Sequence, residues 1–394
     1  MVQFGLLLGM LSFGNPNGQG KHLVEDSIPY NIISDGGTAG EYQAFPDASR
    51  LKNGDIVAVF YSGGAHVTYP SDAYPKCGRI CMVRSNDDGI TWSKPVTIFD
   101  DQWDNRDPHI SQMADGTLVC TFFTTKFGAP KDRNPSASMA YFGNVVTRES
   151  IPGPGPLYIR SLDNGSTWEK QYHAPSSEAG WNCSAEMRQL PNGTWLFPIY
   201  HQDSQQAWGG IIRSANKGKT WETPIAIGKG SGVFLPAETD VIQLKDGSLY
   251  AALRGSIKDS VFMHYATSKD NGKNWSPVAD IGFQGHSPSF TRLKNGAILL
   301  SIRAFFDGSH KKGYTGLRIS YDECKTWEGP YFVDSSWGAY PSTIELKDGS
   351  ILVVFYEEGE RSRIRSMRFV LPVPMKTLIP YDKPEKLKAT TFQH

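Results

Sequence analysis

The sequence predicts an all-β chain folded as a six-bladed β-propeller, each blade a four-stranded antiparallel sheet. Two repeats and one compositional trait predict it. The first repeat is a hairpin in which a serine is followed by an aspartate two residues on, a glycine two further and a tryptophan three beyond that. It reads Ser85-Asn-Asp87-Asp-Gly89-Ile-Thr-Trp92, Ser161-Leu-Asp163-Asn-Gly165-Ser-Thr-Trp168 and Ser268-Lys-Asp270-Asn-Gly272-Lys-Asn-Trp275. Ser214-Ala-Asn216-Lys-Gly218-Lys-Thr-Trp221 and Ser320-Tyr-Asp322-Glu-Cys324-Lys-Thr-Trp327 are close variants. The second repeat is an Asn-Gly or Asp-Gly turn at Asn53, Asp115, Asn192, Asp246, Asn295 and Asp348. A content of 12% aromatic residues, with 40 glycines and 25 prolines among 394 residues, suits strands and turns better than helices.

In the hairpin a short side-chain acceptor holds a tight turn, glycine takes a positive φ, and the tryptophan packs beneath. After a longer first interval the tryptophans recur about every 53 residues, which is room for four short strands and their turns. Each Asn-Gly or Asp-Gly turn joins an inner strand to an apolar second strand, such as Asp55-Ile-Val-Ala-Val-Phe-Tyr61 or Ser350-Ile-Leu-Val-Val-Phe-Tyr356. Six turns imply six blades. The hairpins belong to blades one to five, so the sixth blade must borrow its missing strand from a terminus.

Taken in order, residues 1–28 read as a leader or N-terminal arm. The apolar run Met1-Val-Gln-Phe-Gly-Leu-Leu-Leu-Gly-Met-Leu-Ser-Phe13 is too short to span a bilayer. It has the apolar core of a secretory signal, without the basic flank or a small-x-small cleavage site. Export to a secreted or periplasmic location is the expectation. Tyr30-Asn-Ile-Ile-Ser34 is a candidate strand for closing the ring against the last blade, since a propeller must remove its open edges. The propeller is expected over residues 29–380, with a tail at 381–394. The extra length of the first interval, about 23 residues, falls within 126–156, a Pro-, Gly-, Ser- and Asn-rich stretch read as a loop insertion on one face.

Forty basic and forty acidic residues cancel, so no net field draws the chain to nucleic acid or to an anionic membrane. Any charge selectivity must be local. The five cysteines, Cys77, Cys81, Cys120, Cys183 and Cys324, lack zinc-ligand spacing and read as buried small hydrophobes. No phosphate loop, HExxH motif or Cys/His cluster appears, so no metal or other cofactor is expected.

Residues at the start of the inner strands converge on one mouth of the central channel. Aligning the blades on the residue before each turn puts Phe45, Asp107, Ser184, Glu238, Ser287 and Tyr340 at one equivalent position. Polar residues there are costly unless the mouth is wet or functional.

In these residues the chain resembles the sialidase (neuraminidase) superfamily. The Ser-x-Asp hairpins are similar to its Asp boxes, or BNR repeats, and six such blades are its fold; the likeness covers roughly residues 40–370. The segment Glu238-Thr-Asp-Val-Ile-Gln-Leu-Lys-Asp-Gly-Ser-Leu-Tyr-Ala-Ala-Leu-Arg254 is similar to the one that brings a catalytic glutamate and, a strand later, an arginine for the substrate carboxylate. The segment from Ala339-Tyr340-Pro341 to Tyr356-Glu357 is similar to the one that holds a nucleophilic tyrosine and a supporting glutamate. The resemblance implies an exo-glycosidase that cleaves a terminal acidic sugar with retention. Tyr340 would be the nucleophile and Glu238 its base. Asp72, on the loop after the second strand of blade one, would be the acid/base, with His66 as a rival. Arg254, Arg303, Arg106 and Glu357 would bind or support the substrate. A tyrosine suits this chemistry because an oxocarbenium-like centre beside a carboxylate repels an anionic nucleophile.

The departures matter. Ala44-Phe45-Pro46 stands where the family carries its first arginine, and Arg106-Asp107-Pro108 has that form one blade later. Lys312 corresponds to the third arginine, and a point charge there loses bidentate recognition. A second reading is a neutral or uronic-acid glycan cut by Glu186 and Glu238, with Asp47, His109 and Asp240 at the same level, as in arabinan-cutting propellers or sugar lyases. A third is a glycan-binding propeller without turnover. In every case the partner is a glycan.

Overall fold

The computed structural model describes residues 30–130, 148–153, 155–203, 205–255, 262–305, 313–334, 339–359 and 362–371. They form six small antiparallel sheets arranged as a six-bladed β-propeller. Blade one runs from its inner strand Tyr42–Arg50 through Ile56–Gly63 and Arg79–Ser85 to Val96–Phe99. Blades four and five repeat that order from the inner strands Thr239–Gln243 and His286–Arg292. In blade six, Ala339–Glu345, Ile351–Glu357 and Arg363–Phe369 are followed by Tyr30–Ser34 as the outermost strand. Tyr30 pairs with Met367 and Ser34 with Ile364, so the strand from the N-terminal side completes the last sheet and covers its edge.

Strand alternation explains why the wheel holds together. In Ile351–Glu357, Leu352, Val354 and Tyr356 pack toward blade one, while Ile351, Val353 and Phe355 pack toward blade five. With both faces apolar, the buried side chains fall into six clusters, one at each interface between neighbouring blades. The hairpin tryptophans seat in these interfaces: Trp92 between blades six and one, Trp168 between one and two, Trp221, Trp275 and Trp327 onward around the ring.

Two blades depart from the regular plan. In blade three the inner strand is broken into Trp181–Asn182 and Arg188–Gln189, both paired to Trp195–Gln202. In blade two the second strand, Leu118–Pro130, pairs with Leu157–Ser161 over its first half and with Arg148–Pro152 over its second. The insertion expected as a loop over 126–156 is therefore partly sheet, because the run Thr-Phe-Phe-Thr-Thr-Lys-Phe is rich in residues that favour strands. Residues 131–147 lie outside the described residues, as do the N-terminal arm and the expected tail.

The hairpins are built as their residues require. In blade two Ser161 Oγ donates to Asp163 Oδ1 at 2.8 Å and accepts from Gly165 N at 2.8 Å, while Thr167 N and Oγ1 donate to the two Asp163 oxygens at 2.8 and 2.6 Å. The turn needs two successive left-handed residues, Asn164 at φ 55° and Gly165 at φ 85°. In blade five Cys324 occupies the glycine's place at φ 64°, and its N–H still reaches Ser320 Oγ at 2.9 Å. All five cysteines are buried and unbridged.

These hairpin hydrogen bonds hold the carboxyls of Asp87, Asp163 and Asp270 down at about 2. A depressed carboxyl stabilises the fold above its unfolded value, about 3.9, and the contribution disappears as pH falls through the folded value. Asn216 makes the same backbone contacts without a charge, accepting from Thr220 N at 2.9 Å and donating to Thr220 Oγ1 at 2.8 Å. Urea midpoints are therefore expected to fall between pH 4 and pH 2, and Asp163→Asn is expected to flatten that slope while keeping the hairpin. An unchanged slope in the triple variant Asp87→Asn, Asp163→Asn, Asp270→Asn would show that these carboxyls do not set acid stability.

Candidate functional site at the end of the axle

Four inner strands carry an irregularity at the same place. Pairing slips between Ala44 and Asp47, Arg106 and His109, His286 and Ser289, and Ala339 and Ser342. Within each slip sits a non-glycine residue with positive φ, namely Phe45 at 55°, Asp107 at 48°, Ser287 at 52° and Tyr340 at 47°. A proline follows each one. The proline cannot donate to the ladder, so the pairing is already interrupted there, and the left-handed residue before it re-aims its side chain toward the axle. Blade four shifts the device by one residue, with Ala237 at φ 57° just before Glu238. These are the positions that the blade alignment placed together, and they form a ring of polar and aromatic side chains around one end of the axle.

Tyr340 and Glu238 meet in this ring. Tyr340 Oη donates to Glu238 Oε1 at 2.5 Å, and Arg254 Nη1 donates to both Glu238 oxygens at 2.7 and 2.9 Å. Glu238 is only 2% exposed. Burial pushes the Tyr340 phenol well above its ordinary value, the charges of Glu238 and Asp107 push it further, and the guanidiniums of Arg254 and Arg303 oppose them. Arg303 lies over the Tyr340 ring, 5.7 Å from its centroid, and its Nη2 donates to Tyr356 Oη at 3.0 Å. Burial works against the Arg303 charge, yet the phenols of Tyr356 and Tyr340 and the carboxylates of Glu358 and Glu238 more than restore it.

A second polar cluster adjoins the first. Tyr42 Oη and Tyr356 Oη donate to the two oxygens of Glu358 at 2.5 and 2.7 Å, and Tyr42 Oη lies 2.9 Å from His66 Nδ1. Burial lowers the His66 value despite its contact with Glu358, so the imidazole is neutral near pH 7. Phe45 packs its ring 4.9 Å from that of Tyr340 and 5.1 Å from that of His66.

The other residues named from the sequence fall in different places. Glu358, not Glu357, faces this cluster; Glu357 is bonded to Arg365, with Arg363 at 3.7 Å. A strand sends successive side chains to opposite faces, and the pattern Tyr356-Glu357-Glu358 gave no means of choosing between the two acids. Asp72 is exposed on its loop. Arg106 is buried against the rings of Phe45 and Tyr61, at 5.2 and 5.3 Å, and donates to Asp104 Oδ2 at 3.2 Å and to the His66 carbonyl. Its guanidinium thus stands beside Phe45, the neighbour of Ala44, which holds the position of the absent arginine. Lys312 lies outside the described residues.

Glu186, Asp47 and His109 belong to the channel beyond the ring. Glu186 is paired with Arg188 at 2.7 Å, and Arg188 also binds Asp240 at 2.7 Å. Asp47 accepts from Ile110 N at 2.7 Å and Asp240 from Phe290 N at 2.7 Å, so each carboxylate stitches its blade to the next. Asp47, Glu186 and Arg188 line a cavity of about 350 Å³ together with Arg292, Lys294 and Glu345. His109 lies beside Tyr340, Ser184 and Ser287 around a constriction of about 10 Å³, room for a single water. Glu186 and Glu238 are engaged with different partners, Arg188 and Arg254. Among the described residues no cluster of His, Cys, Asp and Glu has the arrangement of a metal site.

Comparison with known proteins agrees with this architecture. The sialidase of Vibrio cholerae serotype O1 is 25% identical over 265 residues, which cover 59% of this chain and 30% of that protein. The chain therefore spans less than a third of the length of that curated relative. Among solved structures, a protein of unknown function from Dyadobacter fermentans DSM 18053 superposes with a TM-score of 0.66 at 23% identity, covering 88% of this chain and 97% of the other. The NanB sialidase of Streptococcus pneumoniae superposes with a TM-score of 0.62 at 16% identity, covering 87% and 71%. At these identities the structural likenesses are likenesses of fold. The family model described as a BNR repeat-like domain matches residues 144–353, more than half of the chain. With its repeated hairpins and six closed blades, the chain belongs to the BNR repeat-like family, the propellers of the sialidase superfamily.

Proposed function

We propose that this propeller is an exo-glycosidase of sialidase type, removing a terminal acidic sugar with retention through a covalent tyrosyl intermediate. The observation that carries the reading is the 2.5 Å hydrogen bond from Tyr340 to Glu238, flanked by the guanidiniums of Arg254 and Arg303. Relatives named as sialidases support the substrate class.

The electrostatics favour concerted activation. Burial keeps Tyr340 protonated, so a free phenolate is not stored in the resting site. A neutral phenol tolerates a sugar whose reacting carbon bears a carboxylate, whereas a resting carboxylate nucleophile would be repelled. As Tyr340 Oη bonds to that carbon, its proton passes to Glu238, the bond to the leaving oxygen breaks, and that oxygen takes a proton from an acid in the site. Water then attacks the same carbon, giving its proton to the conjugate base of that acid. Tyr340 leaves and recovers its own proton from Glu238.

The two arginines have distinct parts. Arg303, above the Tyr340 ring, stabilises negative charge that develops on the phenol oxygen. Arg254 balances Glu238 in the resting site. When Glu238 takes the proton, Arg254 turns toward the substrate carboxylate, and its Nε has no partner among the described residues that would hold it back. With Ala44 in place of the family's first arginine, the clamp rests on Arg254 and Arg303, and the rings of Phe45 and Tyr340 offer an apolar wall beside it.

Two predictions test the reading. On an aryl sialoside, Tyr340→Phe should lose about 10³-fold or more in kcat and Glu238→Gln about 10²–10⁴-fold; unchanged turnover in both removes these roles. Glycan retained by the wild type with no product released would instead make the protein a binding module. Separately, Arg254→Met leaves the Glu238 carboxylate buried without its cation and should cost about 3 kcal/mol in urea unfolding. Adding Glu238→Gln to that variant should recover most of the loss, and a double variant as unstable as the single one would show that the pair does not act as a unit.

A further inference from the structure

We propose that the proton donor and acceptor for the leaving oxygen is Asp107 on the inner strand of blade two, and not the loop carboxylate Asp72. The inference rests on the glycosidase reading above and assigns the one role that reading left open. It starts from the backbone. Asp107 adopts the same left-handed, pre-proline conformation in the same register slip as Tyr340, at φ 48° and 47°, so both side chains are turned from their strands toward the axle. Tyr340 reaches Glu238 from that position. Asp107 stands in the matching position on blade two, separated from blade six by blade one alone, and beside Ser184 of blade three.

Its hydrogen bonding suits an acid that must keep one oxygen for substrate. Asp107 is 6% exposed. Ser184 Oγ donates to Oδ2 at 3.2 Å, while Oδ1 is buried without a partner among the described residues. A buried carboxyl oxygen left unpaired is costly in a structural role, and the cost falls if the group carries a proton or faces a ligand. Ser287 Oγ, in the same ring, is likewise buried without a partner among the described residues. Asp72, by contrast, is exposed.

The charges around Asp107 are consistent with a group that holds a proton in mildly acidic solution. Burial pushes its carboxyl up; Arg106 on its own strand pulls it down; Glu238 of blade four pushes it up again, and His109 opposes, leaving it at about 6. Cys183 and Tyr200 of blade three and Tyr340 of blade six also face its charge, and each of these is itself raised, chiefly by burial. In the first step Asp107 gives its proton to the leaving oxygen as the sugar passes to Tyr340. In the second it takes a proton from the attacking water, so the cycle returns it protonated.

The test compares leaving groups. Asp107→Asn should lose about 10²–10⁴-fold in kcat/KM on a sialoside with a sugar aglycone, where departure needs a proton, and less than about 10-fold on one with a nitrophenyl aglycone, where it does not. Equal losses on both, or the same selective pattern in Asp72→Asn with Asp107→Asn unaffected, would overturn the assignment. A wild type inactive on both substrates would overturn it together with the glycosidase reading, whereas an active wild type, an inactive Tyr340→Phe and an even loss in Asp107→Asn would overturn the assignment alone. Independently of turnover, the infrared carboxyl band lost in Asp107→Asn should titrate near 6 in the wild type and lower in Glu238→Gln, because a neighbouring negative charge has gone. A band titrating in the ordinary aspartate range would sink the proposal.

Discussion

The site depends on a backbone conformation that inner strands do not adopt for nothing. A residue before a proline is ordinarily extended, and a non-glycine residue in the left-handed region costs of order 1–3 kcal/mol. Four inner strands carry that combination at one level, at Phe45, Asp107, Ser287 and Tyr340. Tyr340 packs its ring against the apolar cluster between blades six and one, to which Ile344 belongs, and from the slip its phenol reaches Glu238. The ring stays against the core while its oxygen meets the axle, and the sheet on either side of the slip keeps it there.

What holds those strained residues is the closure of the wheel. Each interface has its own apolar cluster, and polar stitches near the axle tie neighbouring inner strands together: Asp47 to Ile110 N, Asp240 to Phe290 N, Ser342 Oγ to the backbone of Ala48. Tyr340 and Glu238 belong to blades six and four, with blade five and Arg303 between them. Their 2.5 Å contact is therefore fixed by two interfaces rather than by any local turn. Tyr30–Ser34 matters to the site in the same way, since it completes the sheet from which Tyr340 projects.

The ring of side chains also separates two chemical environments along the axle. On one side Tyr340, Glu238, Arg254, Arg303 and the Tyr42, Tyr356 and Glu358 cluster place phenols and carboxylates beside cations. On the other, Glu186, Arg188, Asp240 and Asp47 satisfy one another and the inner-strand backbone. Burial raises the Glu186 carboxyl, with Asp47 and Asp240 adding to the effect against Arg188. Carboxylates that look interchangeable in the sequence thus have different partners, a phenol and a guanidinium for Glu238 at the mouth, and Arg188 and inner-strand amides for Glu186, Asp240 and Asp47.

Much of this was legible from residue order alone. The hairpin needs serine, a short acceptor and a residue tolerant of positive φ at fixed spacing, so five copies and six Asn-Gly or Asp-Gly turns determine the number of blades. The turn chemistry is local, and local chemistry is written in sequence. The ring position of Tyr340 and Glu238 followed from counting back from those turns, because the spacing from ring residue to turn is the same in all six blades, as in Glu238 to Leu244 and Tyr340 to Leu346. The tertiary structure alone decided that Glu358 rather than Glu357 faces the cluster, that Arg106 spends its guanidinium behind Phe45, and that Glu186 pairs with Arg188 in the channel. Those outcomes turn on slips of one residue and on contacts between blades, and a one-residue slip moves a side chain to the opposite face without leaving a mark in the pattern of residues.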